Sequence, residues 1–203
     1  MPLALPLQYI AKGDGGSGPQ PRTSSERVYW GRIAQGRVSV GDTVQVFPSG
    51  ERADVLALRR AGQAITSAEA GQSAGLVLDR DLDVSRGDWV GAPGTLAATR
   101  HFNATLAWLD TEPAAIGRKY WLRHGNRWVP GRITAIEHVL DIQTLGPTEA
   151  QQLCVNEIGR VRIETQQLLP LQRYADNRVG GALIVVDATS NRTSGALLVE
   201  SWV

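Results

Sequence analysis

Valine alternates with polar residues through residues 37–47, where Val38, Val40, Val44 and Val46 flank a Gly41-Asp42 pair. A period of two sends every second side chain to a buried face. Glycine supplies the positive φ of a tight turn, so the stretch predicts a half-buried hairpin. The same grammar recurs along the chain. Turn signals at Pro48-Ser49-Gly50, at Gly125-Asn126 between KYWLRH and RWVPGRI, and at Ser190-Asn191 between ALIVVD and TSGALLV predict further hairpins. Residues 160–164 alternate again, with Val161 and Ile163 on one face. Helical signals at 63–70 and 148–153 are short, and helices of that length are marginal in water, so both are read as connections. Many short strands with frequent turns predict an all-β protein, as sandwiches or barrels.

One internal echo is visible. The pattern V-S-x-G-D-x-V occupies residues 38–44 and 84–90, and without further matches in register it reads as a recurring hairpin chemistry, not a repeat architecture. Residues 91–98 (GAPGTLAA) form a Gly/Pro/Ala connector with no alternation, which predicts two domains, 1–97 and 98–203. Residues 12–25 (KGDGGSGPQPRTSS) read as a flexible low-complexity loop between a first strand at 6–10 and a strand at 28–34.

With 42% hydrophobic and 20% charged residues the chain has the composition of a folded soluble protein. Its 21 basic and 20 acidic residues leave a formal charge of +1, so no global field draws it to nucleic acid or to membranes. Lys12 and Lys119 are the only lysines. The resulting arginine bias is spread evenly and reflects coding composition more readily than phosphate binding. Cys154 stands alone, which excludes an intrachain disulfide and any CxxC motif and favours a reducing compartment. The start, MPLALPLQYIAKG, is too short and proline-interrupted for a signal peptide, and no run approaches the roughly 18 apolar residues of a membrane span. A cytoplasmic location is expected.

Nucleotide-hydrolysing domains cradle phosphates with GxxxxGK[ST], and neither lysine fits: Lys12 precedes its glycines, and Lys119 precedes a tyrosine within a strand. The glycine-rich run 13–18 opens no helix and is read as loop. His101, His124 and His138 lack metal-ligand spacing, so no metal site is assigned. Cys154 is expected to be a small buried residue, although a His–Cys nucleophilic pair remains open as an alternative. The six tryptophans and the arginines raise the possibility of base stacking. For Trp30, Trp108, Trp121 and Trp128, packing in the core or between domains is the stronger expectation. The most basic segment, residues 118–124, makes Arg118, Lys119, Arg123 and His124 the candidate partner surface. No catalytic or cofactor-binding residue is assigned.

The segment YWGRIAQGRVSVGDTVQVFPSG (29–50) resembles the second domain of translation-factor GTPases, where a G-x-I/V-x-x-G-x-V-x-x-G-D-x-V run builds a small barrel. AGLVLDRDLDVSRGDWV (74–90), YWLRHG (120–125), VNEIGRV (155–161), YADNR (174–178) and GALIVVD (181–187) narrow the likeness to the large subunit of bacterial sulfate adenylyltransferase. This resemblance implies two consecutive small β-barrels like domains 2 and 3 of elongation factor Tu. It further implies a structural and coupling arm in an enzyme that makes adenylyl sulfate from ATP and sulfate at the expense of GTP, in sulfate assimilation. GTP and magnesium would bind a GTPase domain that this sequence lacks, and adenylyl transfer would belong to the small catalytic subunit. Those two are the implied partners, and the chain is expected to be inactive alone. A translation-factor-like double barrel that binds RNA or protein is the alternative.

Overall fold

The computed structural model describes residues 1–12, 27–141, 143–144 and 146–202. The loop expected at 12–25, Lys12 apart, lies outside the described residues, as does the glycine-rich run 13–18. Among the described residues there are eighteen strands and no helix, so the protein is all-β. The chain divides into two compact units, Met1–Leu96 and Ala97–Val203.

The first unit comprises β1 (Ala4–Lys12), β2 (Arg27–Arg32), β3 (Arg37–Ser39), β4 (Thr43–Phe47), β5 (Arg52–Arg60), β6 (Gln63–Ile65), β7 (Ser67–Glu69), β8 (Ser73–Leu78) and β9 (Trp89–Gly91). Six of these run in the order β4-β9-β1-β2-β8-β5, and β4 also pairs with β5, which closes the ring. Closure removes the open edges that would otherwise invite pairing with another chain. Leu5, Leu7, Tyr29, Val46, Leu58 and Leu76 fill the interior. A smaller cluster of Ala4, Phe47, Trp89 and Leu96 lies beside them.

The second unit repeats this plan with β10 (Ala97–Trp108), β11 (Ala114–Ala115), β12 (Lys119–His124), β13 (Arg127–Leu140), β14 (Pro147–Thr148), β15 (Gln152–Leu153), β16 (Ile158–Leu171), β17 (Ala182–Asp187) and β18 (Thr193–Trp202). Its ring runs β12-β17-β18-β10-β16-β13 and is closed by the β12–β13 hairpin. Phe102, Leu106, Trp108, Leu122, Ile163 and Leu197 lead the core. Each such side chain contributes roughly 1.5–3 kcal/mol through burial. Trp108 meets Tyr120 edge to face, with centroids 5.6 Å apart, and its indole N–H donates to the Glu112 carbonyl at 2.8 Å. The hydrogen bond removes the cost of burying that polar group.

Turns at 48–50, 125–126 and 190–191 do join paired strands, β4–β5, β12–β13 and β17–β18. Residues 37–47, however, are not a hairpin. β3 pairs with β7, whereas β4 pairs with β5 and β9, so the Gly41-Asp42 turn diverts the chain from one pairing partner to another. Residues 63–70 and 148–153 are likewise not mere connections: β6, β7, the end of β14 and β15 fall there. Pairing with distant strands stabilises segments whose local propensity is weak.

The Gly-Asp turns are built alike. The Ser39 N–H donates to Asp42 Oδ2 at 2.8 Å, Gly41 has φ +91°, and Gly41 and Asp42 exchange backbone bonds with Val55. In the second copy the Ser85 N–H donates to Asp88 Oδ2 at 2.9 Å, Gly87 has φ +96°, and the backbone exchange is with Leu7. Two further copies escape the sequence pattern. Glu69 donates to Gln72 Oε1 at 3.1 Å, with Gly71 at φ +86° and the exchange made with Ile33. Cys154 donates to Glu157 Oε2 at 2.7 Å, with Asn156 at φ +68° and the exchange made with Trp108. Each turn therefore borders a strand and ties it to a distant segment of the chain in the same step.

Candidate functional site

β12 carries the basic segment, and its alternation sorts that segment into two faces. Lys119, Trp121 and Arg123 point outward, while Tyr120, Leu122 and His124 point into the barrel. Register with the neighbouring strands sets Lys119 opposite Arg132, Trp121 between Val186 and Pro130, and Arg123 between Ile184 and Trp128. Directly opposed side chains on one face of a sheet sit roughly 4.5–5.5 Å apart at Cβ, close enough to act as one surface. Trp121 is 37% exposed, Trp128 47% and Ile184 39%. The Arg123 guanidinium lies over the Trp128 ring, 5.5 Å from its centroid, and Arg123 Nε donates to the Gly125 carbonyl at 3.1 Å. An arginine at that distance is attracted by the negative face of the indole, which fixes both side chains.

Trp121 and Trp128 are thus surface residues, contrary to the packing role expected for them. Trp108 is buried as expected, and Trp30 is partly covered. The Trp30 indole lies against Gly75, where an added Cβ would come within 2.8 Å of the ring.

His124 leaves the candidate partner surface altogether. It is fully buried, and its Nε2 is 3.1 Å from the Gly180 carbonyl oxygen. Burial penalises the charged imidazolium and holds its pKa down at about 4, against the weaker opposing pull of the Gly180 bond. Beside it, Asn177 Nδ2 donates to Gln172 Oε1 at 2.7 Å, and Asn177 Oδ1 accepts from the N–H groups of Val179 and Gly180. The two sequence elements LRHG and Y-x-x-N-R therefore meet in one buried polar cluster. Their work is to hold the barrel wall.

Arg118 is held by acids. It forms ion pairs with Glu112 and, at 2.6 Å, with Asp187, and its guanidinium sits 5.6 Å from the Tyr120 ring centroid. Those carboxylates raise its pKa above the ordinary arginine range, with the Glu112 bond the largest cause. Asp187 in turn accepts from the N–H of Ser190 at 2.7 Å, the Ser190 hydroxyl and the Thr189 N–H. The Ser190 bond leads the causes that lower its pKa to about 2. Of the four basic residues, Lys119 and Arg123 remain as outward cations with no ion pair among the described residues.

Cys154 is exposed rather than buried, and its Sγ accepts a long bond from Gln152 at 3.9 Å. It and the buried His124 stand on opposite sides of the solvent boundary. Among the described residues no group of three or more His, Cys, Asp or Glu side chains is placed to hold a metal ion, and no helix is long and apolar enough to cross a membrane.

Comparison with known proteins follows the fold. Residues 101–200 match the family described as GTP-eEF1A C-terminal domain-like. The solved structure of Sup35 complexed with GDP superposes with a TM-score of 0.83 at 19% identity, covering 100% of this chain and 48% of that one. The chain is an elongation-factor-like β-barrel protein. Sulfate adenylyltransferase subunit 1 of Laribacter hongkongensis is 34% identical over 97% of this chain and 40% of its own length. The bifunctional enzyme NodQ of Rhizobium meliloti is 36% identical over 98% of this chain and 30% of its own length. The bifunctional enzyme CysN/CysC of Xylella fastidiosa is 34% identical over 99% and 31%. Within the barrel class the chain is similar over nearly its whole length to sulfate adenylyltransferase subunit 1 and its bifunctional relatives, and it spans 40% of the Laribacter protein's length.

Proposed function

We propose that this chain is the double-barrel arm of a sulfate adenylyltransferase large subunit. In this reading it serves an enzyme that couples GTP hydrolysis to the synthesis of adenylyl sulfate from ATP and sulfate in the cytoplasm. The observation that carries the reading is 34% identity to sulfate adenylyltransferase subunit 1 across 97% of the chain. GTP and magnesium bind a GTPase domain, adenylyl transfer belongs to a small catalytic subunit, and the barrels connect the two. A closed ring has no free edge along which to shear, so it can pass a nucleotide-driven domain movement onward as a rigid body. The test is calorimetric titration of the chain with the small catalytic subunit and, separately, with the GTPase domain. Binding to at least one of them is expected, and binding to neither overturns the reading.

A second reading, an RNA-binding double barrel, is favoured by the exposed Trp121 and Trp128 beside Arg123. It requires micromolar RNA binding that weakens steeply with added salt.

A further inference from the structure

We propose that the outward face of β17, β12 and β13 docks a polypeptide segment that is acidic and carries an apolar anchor. Trp121 and Trp128 form the apolar contact, and Lys119 and Arg123 take the carboxylates. The inference rests on the reading of the chain as a partner-binding arm and names the chemistry of the partner.

Two tryptophans and an isoleucine, each at least 37% exposed, share one sheet face instead of being scattered. Trp121 and Trp128 are diagonal neighbours, because Trp121 faces Pro130 and Arg123 faces Trp128. Diagonal residues lie about 7–8 Å apart, within reach of large side chains, so one inserted apolar group can touch both indoles. Arg123 is already fixed on Trp128 and by the Gly125 carbonyl, which lowers the entropy lost on binding.

Charge selects the partner. The outward residues Lys119, Trp121, Arg123, Trp128, Arg132 and Ile184 include no acid. The acids nearest in the network are spent, Glu164 on Arg132 and Glu112 and Asp187 on Arg118. Lys119 and Arg123 are left to attract carboxylates. Two uncompensated cations would release only about two counterions from a nucleic acid, too few for firm binding. Tryptophan and arginine are the residues that dominate protein–protein hot spots. A protein segment therefore fits the face better than RNA.

The test uses the full chain and calorimetric titration, which reads binding whether or not the tryptophans are present. The probes are a synthetic peptide of Asp and Glu surrounding one Leu and one Phe, its counterpart with Lys for each acid, oligouridylate, and the small catalytic subunit. The variants are Lys119→Glu/Arg123→Glu and Trp121→Ser/Trp128→Ser, with Arg52→Glu on the exposed start of β5 as a charge control. Thermal unfolding checks that each variant folds. The acidic peptide is expected to bind the unaltered chain, and both double variants to weaken it about tenfold or more, while Arg52→Glu leaves it unchanged. The proposal is overturned if the acidic peptide does not bind, if the double variants bind it equally well, or if oligouridylate or the lysine peptide binds more tightly. Self-association in sedimentation that the Trp121→Ser/Trp128→Ser pair abolishes would assign the face to a second copy, and would also overturn it. Small-subunit binding that is indifferent to both double variants sinks the docking face and leaves the proposed function standing. The expected peptide response, together with no binding to either the small subunit or the GTPase domain, would leave the docking face standing and sink the proposed function.

Discussion

Ser39 and Asp42 clasp each other through two hydrogen bonds, from the Ser39 N–H to Asp42 Oδ2 at 2.8 Å and from the Asp42 N–H to the Ser39 carbonyl at 3.2 Å. Ser85 and Asp88 repeat the clasp at 2.9 and 3.1 Å. Asp42→Ala and Asp88→Ala are each expected to cost about 1 kcal/mol or more, since a backbone donor loses its acceptor. Asp88 is the more buried of the two and should cost more. Urea unfolding of the two variants measures the difference, and equal or negligible losses would count against the clasp as a stabilising unit.

The turn glycines and Gly75 are irreplaceable for different reasons. A Cβ on Gly41 would meet nothing within 4 Å, so Gly41→Ala pays only for its positive φ, roughly 1–2 kcal/mol. A Cβ on Gly75 would approach Val28 Cγ1 to 2.7 Å and the Trp30 indole to 2.8 Å. Gly75→Ala should displace Trp30 and shift its fluorescence, whereas Gly41→Ala should destabilise without a spectral change. Asn156 already occupies the left-handed region, and Asn156→Gly is expected to be close to neutral in the same unfolding assay.

Acid weakens the second barrel in two stages. His124 has its pKa depressed to about 4 in the folded chain, so between about 6.5 and 4 the unfolded chain binds the proton that the folded chain refuses. Its contribution is fully present above about pH 6.5 and falls as the pH drops through this window, by up to roughly 3 kcal/mol. His124→Gln should flatten the pH dependence of urea unfolding there. Asp187, held down at about 2, supplies a second loss as the pH falls below 3.8. Asp187→Asn should shrink that lower stage without touching the upper one, and Asp110 and Asp141, whose carboxyls are also held down by hydrogen bonds, supply the rest of it.

Exposed and buried tryptophans should separate cleanly. Trp108→Ala is expected to cost about 3–5 kcal/mol, and Trp128→Ala about 1 kcal/mol or less. Thermal unfolding of each variant, with acrylamide quenching to report accessibility, decides the matter. Comparable losses would mean that Trp128 is a packing residue after all.

Much of this architecture was legible in the chain. Period-two patterning and turn residues gave the all-β fold and the hairpins around Ser49, Gly125 and Ser190. Alternation states which face a residue takes but not which strand lies beside it, and so residues 37–47 read as a hairpin. The outward Trp121 was recoverable from the same rule. In KYWLRH it shares parity with Lys119 and Arg123, while His124 shares parity with Tyr120 and Leu122 and must face inward. Grouping residues by basicity instead of by parity put His124 on the wrong face. The third and fourth turns were invisible because E-A-G-Q and C-V-N-E share a backbone geometry with S-V-G-D and not its letters.

The first ring closes where its earliest strand meets its last, with Ala4 opposite Gly91 and Leu5 opposite Val90. The whole stretch from Ala4 to Gly91 must therefore leave the ribosome before β1 finds β9, its neighbour on that side. Until then β1 keeps one edge open, and the Gly87–Leu7 bond that finishes the second clasp cannot form. Such long-range closure favours slow, late assembly during synthesis, with a window in which the nascent half-barrel needs shielding from its neighbours.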